Sequence, residues 1–95
     1  MPIFIAVPLT PGIIALDEAI ERTIDAIDRY KLQSDAGWLF KFEGTTVEAS
    51  NHIGLTGQPK GETSPIGSAL VVPVSGYFGR GPTDMWEWLK TRLEQ

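Results

Sequence analysis

The chain has 95 residues, of which 42% are hydrophobic and 21% charged, and its formal net charge is −4. This composition is typical of a folded protein, and the length predicts one domain spanning residues 1–95. The acidic balance argues against binding to a nucleic-acid backbone, which favours clustered lysine and arginine. The lack of cysteine excludes disulfides and thiolate metal ligands, and the single histidine, His52, disfavours a zinc site.

The amino-terminal segment predicts neither export nor membrane insertion. The run MPIFIAVPL has no basic leader, and Pro8 interrupts it. No apolar stretch approaches the ~20 residues that a membrane-spanning helix needs. We therefore expect a cytoplasmic location and no membrane partner, and the absence of cysteine agrees with that expectation.

The first two elements are predicted to be a strand and a helix. Ile3 to Leu9 is a short run of β-branched and aromatic residues, typical of a strand buried on both faces. From Ile13 to Tyr30 the hydrophobic period becomes helical, with an apolar stripe formed by Ile13, Leu16, Ile20, Ile24 and Ile27. We interpret the opposite side as a solvated face rather than a partner surface; its carboxylates are Asp17, Glu21, Asp25 and Asp28.

A β-hairpin is predicted from two alternating runs, YKLQ and GWLFKFEG, on either side of the turn SDAG. In its second strand Trp38, Phe40 and Phe42 share one face. Three aromatic rings on one sheet face could stack single-stranded RNA, as they do in RNA-recognition motifs. The acidic charge and the large surface that buried rings remove from water favour the alternative, in which the rings pack beneath helices.

Residues 45–53 are predicted to form a short helix, and a strand over the first five of them is the competing interpretation. Thr45 and Glu48 have the spacing of a capping box, and Gly54 suits the carboxyl-terminal stop. Glu48, Ser50 and His52 suggest an acid–base or nucleophile set, but on a helix Glu48 and His52 would share a face while Ser50 points elsewhere. No independent group is available to orient the single histidine. We therefore predict no catalytic residue.

The remainder of the chain is predicted to hold a loop, an edge strand and a helix. Thr56 to Gly67 is rich in Gly, Pro and Thr and lacks periodicity, which is typical of an exposed, mobile loop. Pro73, in the run SALVVPVS, cannot donate to a strand ladder and therefore indicates a sheet edge or a bulge. In the final helix, Asp84 to Glu94, Asp84 is the expected cap. The apolar stripe of this helix, with Trp88 at its margin, comprises Met85, Trp86, Leu89 and Leu93.

The connection SGYFGRGPTD, Ser75 to Asp84, has two interpretations. Its glycines permit a turn from which Tyr77 and Arg80 grip a carboxylate or phosphate beside a helix amino terminus. We favour the alternative, a strand-to-helix corner stiffened by Pro82, because an aspartate cap repels an anion. Tyr77, Arg80 and Trp88 are the candidate interaction residues of the chain, and neither a cofactor nor a metal is expected.

The order of elements is β-α-β-β-α-β followed by a further helix, which predicts an α+β, ferredoxin-like fold with an additional C-terminal helix. In that arrangement the first and third strands are central, and two helices cover one face of the sheet. The first and last strands are apolar on both sides, so the second face also needs a cover. We expect the C-terminal helix to cover part of it and a second copy of the chain to cover the rest.

The layout of about residues 1–76 resembles the small dimeric ferredoxin-like proteins of the Cas2 and VapD type. The ending SGYFGRGPTDMWEWLK is similar to that of short uncharacterised bacterial and phage proteins. The first resemblance implies a metal-dependent nuclease, in which an aspartate at the end of the first strand binds the metal or acts in catalysis. Here that strand ends in Pro8 and Leu9, so we carry over the fold and not the nuclease.

These observations leave three functional hypotheses. We favour a small non-enzymatic protein-interaction module that forms a homodimer and has a protein partner whose identity the sequence does not give. The alternatives are a degenerate relative of the metal-dependent nucleases and a sheet that binds single-stranded RNA, although the acidic charge makes nucleic acid the less favoured partner.

Overall fold

The computed structural model describes residues 2–9, 14–33, 36–62, 64–76 and 79–93. Within these ranges the chain has an α+β fold with four antiparallel strands and three α-helices. The strands are β1 (Ile3–Pro8), β2 (Arg29–Lys31), β3 (Trp38–Lys41) and β4 (Ala69–Val74). The helices are α1 (Ile14–Thr23), α2 (Thr46–His52) and α3 (Thr83–Leu93), and a short 3₁₀ turn, Ala26–Asp28, precedes β2.

The strands form a single sheet in the order β2-β3-β1-β4, so β1 and β3 are central. Ile5 of β1 is paired with Leu39 of β3 on one side and with Val72 of β4 on the other. Pro73 lies in the edge strand β4, where the absence of an N–H group is tolerated. The other edge strand, β2, has only three residues, and two of them, Arg29 and Lys31, are charged.

The first face of the sheet packs against α1 and α2. Trp38 and Phe40 are buried there, with Phe42 at the border of the same cluster, so the rings of β3 belong to the core. Phe40 stacks on Phe4 of β1 with 5.6 Å between ring centroids. The interpretation of these aromatics as core residues is therefore confirmed. The helices and the residue that follows each of them complete the cluster through Leu16, Ala19, Ile20, Ile24, Ala49 and Ile53.

The second face of the sheet is covered in part by α3. Leu89 of this helix is buried against Ile3 of β1 and Leu39 of β3. Trp86 and Trp88 pack around the same cluster and remain partly exposed. Because β1 alternates its side chains between the two faces, both faces of this strand are apolar and both have a cover. The expectation that the C-terminal helix shields the second face is confirmed for this part of it.

The predicted helix from Ile13 to Tyr30 is wrong in its second half, because α1 ends at Thr23. The chain then forms the 3₁₀ turn and enters β2, which pairs with β3. The guanidinium of Arg29 binds the carbonyl of Ile24 at 2.5 Å, which satisfies a backbone acceptor beyond the helix end. Ile27, expected on the buried stripe, is 70% exposed as a result.

The assignment of Asp84 as a helix cap is also wrong. Helix α3 begins one residue earlier, at Thr83, and the carbonyl of Pro82 accepts hydrogen bonds from the N–H groups of Met85 and Trp86. Asp84 therefore lies inside the first turn, where its carboxylate accepts a 3.0 Å hydrogen bond from the hydroxyl of Tyr30. Tyr77 and Phe78, also in this connection, lie outside the described residues.

The loop between α2 and β4 is exposed over most of its length, as expected, but it has clear anchor points. Ile66 enters the helix-facing core and is 9% exposed. The hydroxyl of Ser64 and the side-chain amide of Gln58 both donate to the carbonyl of Gly54, at 2.7 Å and 2.8 Å. These contacts hold the described part of the loop against the end of α2.

Candidate functional site

An open groove of about 660 Å³ runs between α2 and the edge strand β4. We call it the α2–β4 groove. Its walls combine aliphatic side chains with hydroxyl and amide groups, and none of these described lining residues carries a charge. The lining consists of Leu9, Thr46, Val47, Ser50, Asn51, Leu55, Thr56 and the segment 67–71.

Helix α2 forms one wall, and local capping fixes where this helix begins. The hydroxyl of Thr45 accepts a 3.1 Å hydrogen bond from the N–H of Glu48, whose carboxylate accepts a 2.9 Å bond from the N–H of Thr45. This capping box confirms the prediction from sequence and decides between helix and strand for residues 45–53. The bond from the Thr45 backbone, followed by that from its side chain, lowers the pKa of Glu48, and desolvation opposes this shift.

The end of α2 is equally well defined. Gly54 follows the helix with a φ of 88°, a conformation that favours glycine, and its N–H binds the carbonyl of Asn51. The chain therefore turns sharply after α2 and returns along the groove. The N–H groups of Leu55 and Thr56 both donate hydrogen bonds to the carbonyl of Ser50. These bonds place Thr56 opposite the last turn of the helix.

A chain of polar side chains lines the groove at this turn. Thr56 donates its hydroxyl proton to the side-chain carbonyl of Asn51 at 2.5 Å. Because a hydroxyl has one proton to donate, the 2.8 Å contact between Ser50 and Thr56 has Ser50 as the donor. The hydroxyl protons of Ser50 and Thr56 are thus both donated within this group of side chains, and Ser50 is nearly buried. The arrangement ties α2 to the loop that follows it.

The structure separates the three residues considered for acid–base chemistry. Glu48 is held in the capping box, and Ser50 faces the groove. His52 lies in a different cleft, where its ring packs on Phe42 at 4.8 Å and its Nε2 is 2.9 Å from the carbonyl oxygen of Thr23. His52 is therefore engaged in packing and in a backbone contact, and the sequence neighbours do not form one reactive set.

Several of the residues that line the groove have exposed aliphatic side chains. Val47 on α2, Leu70 on β4 and Leu9 after β1 are 69%, 50% and 60% exposed. All three are among the residues that line the groove. Leu70 lines it from the outer edge of the sheet, because strand alternation places its side chain on the α3 side. Single exposed aliphatics are common on protein surfaces, whereas a contiguous group of them marks an interaction surface.

The residues predicted to interact from sequence lie elsewhere. Arg80 is exposed in the connection before α3, and Tyr77 is outside the described residues. Trp88 packs 6.3 Å from the ring of Tyr30 and lies under the guanidinium of Arg92, which is 4.6 Å from the Trp88 ring. The Nε1 of Trp88 is buried without a hydrogen-bond partner among the described residues. The structure thus places Trp88 in the packing of α3 on the sheet.

Sequence reasoning missed the α2–β4 groove. The sequence pattern places Val47 in a short helix and Leu70 in an apolar strand, and it does not indicate that either side chain is exposed. The available signal was the edge position that Pro73 indicated, combined with the lack of charge in Ala69–Val74. An edge strand without a charged side chain is unusual enough to direct attention to the surface beside it.

Among the residues that the structure describes, no three His, Asp or Glu side chains lie close enough together to hold a metal ion. Within the same part of the chain, no helix combines the length and hydropathy needed to cross a bilayer.

Comparison of the chain with protein-family models, with curated proteins and with solved structures gives no match.

Proposed function

We propose that this protein is a small non-enzymatic interaction module that binds another protein chain through the α2–β4 groove. The observation that carries the proposal is the open, uncharged groove at the edge of the sheet, whose lining includes the exposed residues Leu9, Val47 and Leu70. The centres of protein interfaces are depleted of charge and enriched in apolar side chains. A groove of this composition beside a strand edge that no other described strand covers suits a protein partner better than it suits a charged small molecule.

The proposal includes a cytoplasmic location and membership of the ferredoxin-like class. The order of elements and the central position of β1 and β3 support that class. The fold presents α2 and β4 side by side at one edge of the sheet, which is why residues distant in sequence meet in the groove.

Homodimerisation is part of the same proposal. Helix α3 covers Ile3 and Leu39 on the second sheet face, but Leu70, which lies on that face further along, is half exposed. Burial of a leucine side chain is worth roughly 1.5–3 kcal/mol, so a copy of the chain that covers this region would gain stability.

A photo-crosslinking experiment tests whether the groove binds protein. Benzoylphenylalanine is placed at Val47 in the full chain and expressed in the source cells, with the same group at Ile27 as a control. Ile27 matches Val47 in exposure, at 70%, but precedes β2 at the opposite edge of the sheet. We expect discrete protein adducts from position 47 only. Adducts at both positions, or at neither, would contradict a binding groove.

The RNA-binding alternative meets an obstacle in the core. Trp38 and Phe40 are 5% and 0% exposed, so bases could stack on them only if α1 and α2 moved away. Filter binding of single-stranded RNA at low and high salt tests this alternative, and salt-sensitive binding would support it.

The nuclease alternative is a separate hypothesis with a direct assay. Incubation with RNA and DNA in Mg²⁺ or Mn²⁺ should give no cleavage under the interaction-module proposal. Cleavage that Glu43→Ala or Glu48→Ala abolishes would replace that proposal with an enzymatic one.

A further inference from the structure

We infer that the first partner of the α2–β4 groove is a second copy of this chain, which pairs with β4 as an antiparallel strand around a two-fold axis at Leu70. This inference rests on the proposed function and makes it specific. Pairing of two β4 strands would join the two four-stranded sheets into one continuous sheet.

The outer edge of β4 is open in the part of the chain that the structure describes, where β1 is its only neighbouring strand. The N–H of Leu9 donates a 2.9 Å bond to the carbonyl of Ser68, so this opposed pair is hydrogen-bonded. Bonded and non-bonded pairs alternate along an antiparallel ladder. The pairs that β1 makes with Ala69 and Val71 are therefore non-bonded, and the N–H and C=O groups of these two residues point towards the open edge.

The open edge is complementary to itself. With the two-fold axis at Leu70, Ala69 of each copy faces Val71 of the other, and each copy donates two N–H groups to two carbonyls of its partner. Both residues then use their donor and their acceptor. Pro73, which has no N–H group to offer, lies outside this short ladder and costs it no hydrogen bond.

The charge of the chain favours this location for self-association. Two copies that each carry a net charge of −4 repel one another, so they meet most easily where no carboxylate faces the partner. The strand Ala69–Val74 contains no charged residue, and the described lining of the adjacent groove contains none. Edge strands that remain unpaired are usually guarded by a charged side chain or a bulge.

Leu70 supplies the apolar contact at the centre. Its opposite residue on β1 is Val7, which places both side chains on the α3 side of the sheet. Helix α3 covers the other end of that face, and Leu70 is half exposed. Across the axis the two Leu70 residues would form a non-bonded pair, in which side chains are closest.

The test combines sedimentation velocity with amide hydrogen exchange on the full chain. We expect wild type to be a dimer whose Val71 amide, which points outward, exchanges as slowly as the Val72 amide, which is bonded to β1. Leu70→Lys places two like charges roughly 6 Å apart and should weaken dimerisation about a hundredfold. In this variant the outward-pointing Ala69 and Val71 amides should lose protection, and continued protection of Val72 shows that the sheet is folded.

Ile27→Lys is the matched control, because it changes an exposed aliphatic residue to the same charged one at the opposite edge. It should leave the dimer and the Val71 protection intact. A wild type that is monomeric at every concentration would overturn the inference. So would a dimer that Leu70→Lys leaves unaffected, or a dimer in which the Val71 amide exchanges freely.

The crosslinks from position 47 separate this inference from the proposed function. Adducts between two copies of the chain support both. Adducts with a different protein, from a chain that sediments as a monomer, overturn the dimer and retain the interaction module. A monomer that yields no adduct at Val47 contradicts both.

Discussion

The indole Nε1 of Trp38 donates a 2.7 Å hydrogen bond to one carboxylate oxygen of Asp17, which joins β3 to α1 across the buried face of the sheet. The other oxygen of Asp17 accepts a 3.0 Å bond from the ammonium group of Lys31 on β2. Asp17 was expected on a solvated helix face. The carboxylate instead satisfies the only polar atom of a nearly buried tryptophan side chain.

Asp17→Ala should destabilise the protein by about 1–3 kcal/mol, because it leaves a buried indole N–H without an acceptor. Loss of the exposed contact to Lys31 adds little. Urea unfolding followed by tryptophan fluorescence measures the change. Glu18→Ala, on the exposed side of the same helix, should have a small effect, and an equal loss in the two variants would argue against the role of the Trp38 bond.

Tyr30→Phe should cost about 0.5–1 kcal/mol at neutral pH, at the low end for a hydrogen bond because the contact with Asp84 is exposed. Burial raises the pKa of Tyr30, and the bond to Asp84 and the charge of that carboxylate raise it further. The folded state thus holds the phenolic proton more tightly than the unfolded state. The contribution of the Tyr30 hydroxyl to the free energy of unfolding is therefore complete below pH 10. It disappears as the pH rises through the raised pKa of the folded state.

The measurement for Tyr30 is the free energy of unfolding of wild type and Tyr30→Phe from neutral to alkaline pH. The difference between the two proteins should shrink above pH 10, since only wild type has the phenol at this site. A difference that stays constant with pH would contradict the assignment.

Thr45→Ala should cost about 1 kcal/mol, because it removes the hydroxyl acceptor of the α2 cap. Glu48→Gln tests the second half of the capping box. The folded-state pKa of Glu48 is lowered, so its contribution is complete above the unfolded value of 4.5 and is lost as the pH falls through the folded value.

Acid titration of stability checks the Glu48 prediction. Wild type should lose more stability than Glu48→Gln in this acid range. Glu43→Gln, a change at an exposed carboxylate near the same loop, should follow wild type. If all three proteins lose stability in parallel, the carboxylate of Glu48 contributes nothing to the cap.

Arg92→Ala should destabilise the docking of α3 by about 1–2 kcal/mol, because two contacts of the guanidinium are lost. Its Nε and Nη2 donate hydrogen bonds to the backbone carbonyl of Ile27, and the group lies over the ring of Trp88. Arg92→Lys should recover only part of the loss, since an ammonium cannot reproduce two fixed donors. Amide exchange in α3 reports the local opening. Lys90→Ala, in the same helical turn but exposed, is the control; equal effects at both positions would contradict this anchor.

Periodicity and capping rules recovered much of the architecture from sequence. The rings of β3 were assigned to the core because alternation places Trp38 and Phe40 on one face, and the structure buries both. Thr45 and Glu48 located the start of α2 because their bonds are local and need no tertiary partner. Pro73 indicated an edge strand because a missing donor has the same consequence in any sheet.

The errors arose where a distant contact outweighs a local preference. Asp25 to Tyr30 continue a helical period, but this segment forms a 3₁₀ turn and then enters β2, where Tyr30 pairs with Leu39. Asp84 has the composition of a cap, yet Tyr30, 54 positions earlier, binds its carboxylate. The groove depends on the approach of α2 to β4, which one-dimensional periodicity does not encode.

The shortness of β2 would limit the size of an assembly formed by the proposed pairing through β4. A sheet extended through β4 would end at a β2 strand in each copy, and Arg29 and Lys31 flank the single uncharged residue there. A three-residue strand offers few backbone N–H and C=O groups for pairing, and its two positive charges would repel the β2 strand of another copy. A further copy would therefore have no edge strand with which to pair. Under the proposed pairing, association through β4 would therefore stop at two chains, and fibres would not propagate from it.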